Sequence, residues 1–197
     1  MDRRGSSISS TGSTEVPGSP DDPGHAANLL GALALAVTDR SFDAAAAAGT
    51  EGSGTDAIVL SALHQFLDRP TIDLLRRVLG LTSSGAVRLV NRLERAGLVR
   101  RESAEDGRAT AVVLTTSGRR VAKRVSGART SMLKEALAVL SPAECRKFEE
   151  LMSLVLVGLR RGPEAVRWIC RFCDLDACGW REGRCPVRNA AVQRRGG

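Results

Sequence analysis

Between residues 71 and 114 the chain sets out four pieces in one order. A short amphipathic stretch is followed by a glycine turn, a longer amphipathic stretch, and two strand-like runs joined through Asp-Gly. In residues 71–79, Ile72, Leu75 and Leu79 fall on one helical face. Gly80-Leu81-Thr82 reads as a tight turn, and residues 83–96 as a second helix stopped by Gly97. Leu98-Val99-Arg100-Arg101 reads as a strand and residues 110–114 as its β-branched return, with Asp106-Gly107 as the hairpin signal between them. Two helices about a glycine turn make a helix-turn-helix. A hairpin directly after it is a wing.

The second of these helices carries the candidate reading surface. At about 3.6 residues per turn, Ala86, Leu89, Val90 and Leu93 fall on one side, and Arg88, Asn91, Arg92 and Arg95 on the other. The first set can pack on the preceding helix. The second suits a major groove, where Arg grips guanine with two hydrogen bonds, Asn grips adenine, and further Arg meets phosphate. Ser83 and Ser84 stand at the N-terminus, where small side chains and free N–H groups can approach a backbone phosphate or a base edge.

Charge agrees with this placement. The chain has 29 Lys+Arg against 22 Asp+Glu, a formal +7, which favours a polyanionic partner. Arginine richness alone decides little; its position on one helix face decides more. Aromatic content is 3% with no tyrosine, so an aliphatic, alanine-rich core of packed helices is expected.

The run LLRRVLGLTSSGAVRLVNRLERAGLVRRESAEDGRATAVVLTTSG, residues 74–118, resembles the winged helix-turn-helix of the MarR family of bacterial regulators. The most telling part is NRLERAGLVRR, followed by Asp106, Arg108, Leu114, Thr115 and Gly118 in the order D-x-R and L-T-x-x-G. With flanking helices the likeness covers about residues 25–161. It implies a homodimer on double-stranded DNA, probed by one reading helix and one wing per subunit. It also implies that Arg108 enters a minor groove and that Asp106 braces the wing tip through Arg92 or Arg101. A narrow minor groove does attract an inserted arginine. Members of the family often take small anionic aromatic effectors; no residue here fixes such a small-molecule ligand.

The expected fold is mainly α with a small β-wing: a winged helix-turn-helix lobe, a helical dimerisation lobe and a short Cys-rich tail. The divisions read from the sequence are a Ser/Gly/Pro-rich tail (1–24) expected to be disordered, a dimerisation helix and loop (25–54), the DNA-binding lobe (55–118), two dimerisation helices (119–163), a four-cysteine segment (164–192) and a basic end (193–197). Thr55-Asp56 is the expected cap of a helix ending at Asp68-Arg69-Pro70, and a long helix is expected over residues 119–140. Ser141-Pro142-Ala143-Glu144 is a capping box with proline at the first helical position.

Cys170, Cys173, Cys178 and Cys185 lie within sixteen residues, spaced C-x2-C-x4-C-x6-C. The apolar run 29–37 is too short to span a bilayer and follows acidic residues, so a cytoplasmic chain without a membrane partner is expected. In that reducing setting clustered thiols read as metal ligands. Zinc, with four tetrahedral thiolates, suits the spacing. An iron–sulfur cluster or redox-active thiols are the alternatives. Arg171, Arg181, Arg184 and Arg188 would offset the negative charge of such a centre, and Trp168, Phe172 and Trp180 would form a small core around it. Cys145 reads as a small residue of a dimer helix and His64 as a core or surface histidine. Paired carboxylates, a phosphate-cradling glycine loop and a nucleophile–base set are absent from the pattern, so an enzyme is not expected.

Overall fold

The structure, a computed structural model, describes residues 23–50, 52–103, 109–161 and 165–193. It divides into two compact units, Met1–Ala36 and Val37–Gly197. The described residues of the first belong to the opening part of helix α1 (Gly24–Ala47). The expected disorder of residues 1–24 falls almost wholly outside the described residues.

In the second unit, α2 (Gly54–Gln65), α3 (Ile72–Leu79) and α4 (Ser83–Arg95) precede strands β1 (Val99–Ser103) and β2 (Thr110–Leu114). Helices α5 (Thr116–Leu137) and α6 (Pro142–Gly158) follow. The elements are mainly helical, with one two-stranded antiparallel sheet. That is the expected winged helix-turn-helix. Among the described residues, no helix is long and apolar enough to cross a membrane.

The core is aliphatic, as the composition requires. Leu60, Leu75, Val78, Val90, Val99, Val112 and Val125 are fully or almost fully buried, which joins α2, α3, α4, the wing and α5 in one cluster. The turn between α3 and α4 works through Gly80, whose φ of 66° is a left-handed conformation that costs glycine little. Thr82 then caps α4 by accepting from the Gly85 N–H at 3.1 Å.

The wing is in register from Val99↔Leu114 to Ser103↔Thr110. It has an anchor that the hairpin pattern did not announce. Thr71 bridges to Ala111, and the Val112 N–H donates to the Pro70 carbonyl at 2.9 Å, so the chain entering α3 flanks β2. Arg69 adds an ion pair to Glu102 and donates to the Ser103 carbonyl at 3.0 Å.

Two local expectations are corrected. The cap of α2 is Ser53 rather than Thr55, with Asp56 three residues on completing a capping box. The long helix opens at Thr116, where the Thr115 hydroxyl caps it earlier by accepting from the Gly118 N–H at 2.9 Å, and it closes at Leu137. The loop after α1 is pinned where described: buried Thr50 donates its hydroxyl to the Ala45 carbonyl at 2.7 Å.

Gly118 has a steric role. A Cβ placed there would stand 1.9 Å from the Leu98 carbonyl oxygen, where α5 crosses the entry to the wing. Gly118→Ala is therefore expected to cost about 1–3 kcal/mol, the range for overpacking. A thermal melt reads this directly; an unchanged midpoint would mean that the helix start shifts without resistance.

Candidate nucleic-acid interface and thiol cluster

Helix α4 presents the two faces its spacing predicts. Ala86, Leu89, Val90 and Leu93 are buried, while Ser83, Ser84, Arg88, Asn91, Arg92 and Arg95 are exposed. Arg88 and Arg95 therefore point away from the core, and Arg95 makes only a long contact with the Asn91 carbonyl, at 3.4 Å.

Arg92 is differently employed. Its guanidinium forks onto Asp56 of α2, with Nε–Oδ2 at 3.0 Å and Nη2–Oδ1 at 2.5 Å. Asp56 is only 3% exposed. The carboxylate holds the guanidinium proton more tightly than usual, chiefly through the hydrogen bond, which outweighs the opposing effect of burial, and with a lesser contribution from its charge. Sequence spacing placed Arg92 among the readers; in the fold it ties α4 to α2. Arg101 likewise pairs with Glu94 and donates to Asn91 Oδ1 at 2.6 Å. Both proposed partners of Asp106 thus have other carboxylates. Asp106 and Arg108 themselves lie outside the described residues.

Residues 53–109 match the model of the MarR family. This winged helix is therefore similar to that of the MarR family. A MarR-family protein from Bacillus stearothermophilus has a similar structure, with a TM-score of 0.63 at 23% identity over 70% of this chain and 95% of that one. MepR, a transcription regulator of a Staphylococcus aureus multidrug efflux pump, gives 0.58 at 19% identity over 68% and 97%. A MarR-family protein of Mycobacterium tuberculosis gives 0.55 at 22% over 68% and 96%. No curated protein matches the chain significantly. MarR-family resemblance extends over the fold; it leaves close to a third of this chain unmatched in each of these structures.

The four-cysteine segment is built from very short pieces: α7 (Ala165–Ile169), a 3-10 turn (Cys170–Phe172), α8 (Leu175–Cys178) and α9 (Pro186–Gln193). Buried Cys170, Cys185 and Val187 form its centre, with Cys173, Cys178, Leu156, Val166, Ile169 and Trp180 packed around them. All four thiols therefore meet in one place, each as a free cysteine. They stand as two pairs. Cys170 donates toward Cys173, which pushes the Cys170 thiol far up and draws Cys173 down to about 7, against burial and with help from the Arg129 and Arg171 guanidiniums. Burial first, then Cys185, pushes Cys178 up to about 12. Among the described residues, no group of three or more His, Cys, Asp or Glu is placed to hold a metal ion. An ion would have to draw the two thiol pairs together.

The expected aromatic core around the thiols forms only in part, with Trp180 packed against the cysteines. Phe172 leaves for the main core, its ring 6.5 Å from that of Phe42 and 4.7 Å beneath the Arg129 guanidinium. Trp168 lies on the surface under Arg171, and Arg188 covers Trp180. Aliphatic and thiol groups, with Trp180, fill the centre. Arg129, a residue of α5 that no sequence pattern singled out, is the cation beside Cys173; its buried Nε has no hydrogen-bond partner.

Proposed function

We propose that the protein is a DNA-binding transcriptional regulator that acts as a repressor by occupying a pseudo-palindromic operator as a homodimer. The observation that carries this reading is the exposed Arg88–Arg95 face of α4, backed by buried leucines and flanked by a wing. Ser83 and Ser84 sit where an α-helix N-terminus meets phosphate. Half-sites are expected about one helical turn apart. The apolar side chains exposed on α6 supply the surface for a second copy of the chain. We further read the Cys170, Cys173, Cys178 and Cys185 cluster as a zinc site that structures the tail, because four converging thiols and segments too short to hold themselves fit a metal-organised module.

Selection of bound fragments from random DNA, followed by footprinting, tests the regulator reading. Arg88→Ala and Arg95→Ala should each weaken the selected site by about 1–3 kcal/mol, roughly five- to a hundredfold, and relax sequence preference. Affinity should also fall steeply between low and moderate salt as bound arginines release counterions. Recovery of no preferred sequence, or wild-type binding by both variants, would remove the assignment.

A further inference from the structure

The thiol segment is not an appendage. It touches Phe42 of α1, the end of α2 and α5 at three polar or aromatic points, through Phe172, Asp174 and Leu175, which flank Cys173. The Leu175 N–H donates to Gln65 Oε1 at 3.2 Å, and the Thr130 hydroxyl donates to Asp174 Oδ2 at 3.3 Å. Phe172 is clamped between Arg129 and Phe42. Gln65 is the hub, since its Nε2 also donates to Ser126 of α5 at 3.3 Å. One amide thus ties α2, α5 and α8 together. Asp174 works in two directions as well: Oδ1 caps α8 by accepting from the Asp176 and Ala177 N–H groups, while Oδ2 faces α5.

Helix α2 carries this further. Gln65 is its last residue, and Asp56 stands in its first turn, holding Arg92 of the reading helix. A helix of twelve residues is a rigid rod about 18 Å long. Its two ends are therefore the tail and α4. The other side of the tail lies on α6, through Leu156 against the buried cysteines.

We propose that the four-thiol site is a regulatory latch: zinc bound by Cys170, Cys173, Cys178 and Cys185 seats the tail on Gln65 and Thr130, and through α2 sets the position of the Arg92-braced reading helix. The proposal rests on the zinc reading of the tail. The physical reason is that α7, α8 and the 3-10 turn have too few residues to form alone. Their order must come from what holds the cysteines, so losing the ion releases Asp174 from α5 and Leu175 from α2. The buried, unpartnered Arg129 Nε next to Cys173 supplies a fixed positive charge for a tetrathiolate centre bearing two negative charges.

The test uses the full chain and a DNA fragment it selects. Metal is measured in the purified protein, removed with a thiol-reactive mercurial and chelator, and restored as zinc under reducing conditions. About one zinc per chain is expected, and the zinc-free form should bind DNA roughly tenfold more weakly and recover on zinc addition. Gln65→Leu with Thr130→Val keeps the cysteines but cuts the two polar ties; in this variant, zinc removal should change affinity by less than about twofold. A wild-type protein that holds zinc yet binds DNA equally without it overturns the latch and leaves the zinc site standing. A tenfold zinc effect that survives in the double variant overturns the path through Gln65 and Thr130. Iron with acid-labile sulfide, or disulfides in place of metal, overturns the zinc reading beneath it.

Discussion

Asp56→Ala is expected to cost about 2–3 kcal/mol of stability and to weaken DNA binding by about tenfold, although Asp56 lies on no DNA-facing surface. The carboxylate is buried and does two jobs. It accepts from the Ser53 N–H at 3.1 Å in the capping box, and it holds both arms of Arg92. Removing one partner of a buried pair is usually costly because the other charge is stranded. Here Arg92 remains 45% exposed and can turn to water, so the larger penalties do not apply. The cap and the lost orientation of α4 remain. Urea melts give the first number, and fluorescence anisotropy at a temperature where the variant is folded gives the second. Arg92→Lys should fall between wild type and Asp56→Ala, because a lysine keeps the charge but loses the fork. A folded Asp56→Ala protein with wild-type affinity would reduce Asp56 to a helix cap and leave Arg92 free to act as a reader.

That pair shows where sequence reading stops. The apolar and polar faces of α4, the glycine turn and the wing were legible because each is a local pattern of period or turn chemistry. The same wheel put Arg92 with Arg88 and Arg95, since a helical projection records direction and not the partner across the gap. Ser53 and Asp56 carry a readable S-x-x-D capping spacing, yet the adjacent Thr55 offers an equally plausible local cap. The cysteine spacing announced a converging cluster, and the four thiols do converge. Its surroundings were legible only in part: Arg171, Arg184 and Trp180 stand beside the thiols as expected, but the long-range partners were not readable. Phe172 packs on Phe42, 130 positions earlier, and Arg129 reaches Cys173 from a helix whose composition says nothing of thiols. Long-range partners of this kind depend on how α2, α5 and the tail are stacked, which no window of the sequence contains.

Leu151→Glu together with Leu154→Glu is expected to leave a folded chain that no longer pairs and binds its operator a hundredfold or more weakly. Helix α6 has no buried residue in the single chain. Leu151 is 52% and Leu154 71% exposed, and Val155 and Leu159 extend the same apolar strip at helical spacing. A contiguous exposed strip of this kind marks an interaction surface. Because these side chains support little of the monomer core, replacing two of them should cost the monomer only about 0.5 kcal/mol. Two charges on each facing helix would instead be buried against each other in a dimer, which like charges resist strongly. DNA affinity then falls because two linked half-site contacts become separate ones, forfeiting an avidity of about 10²–10⁴. Light scattering should report one chain's mass, 20.9 kDa, for the variant and twice that for the parent. A variant that still pairs would place the dimer contact on another surface. One that is monomeric yet binds as tightly as the parent would show that a single reading helix and wing suffice.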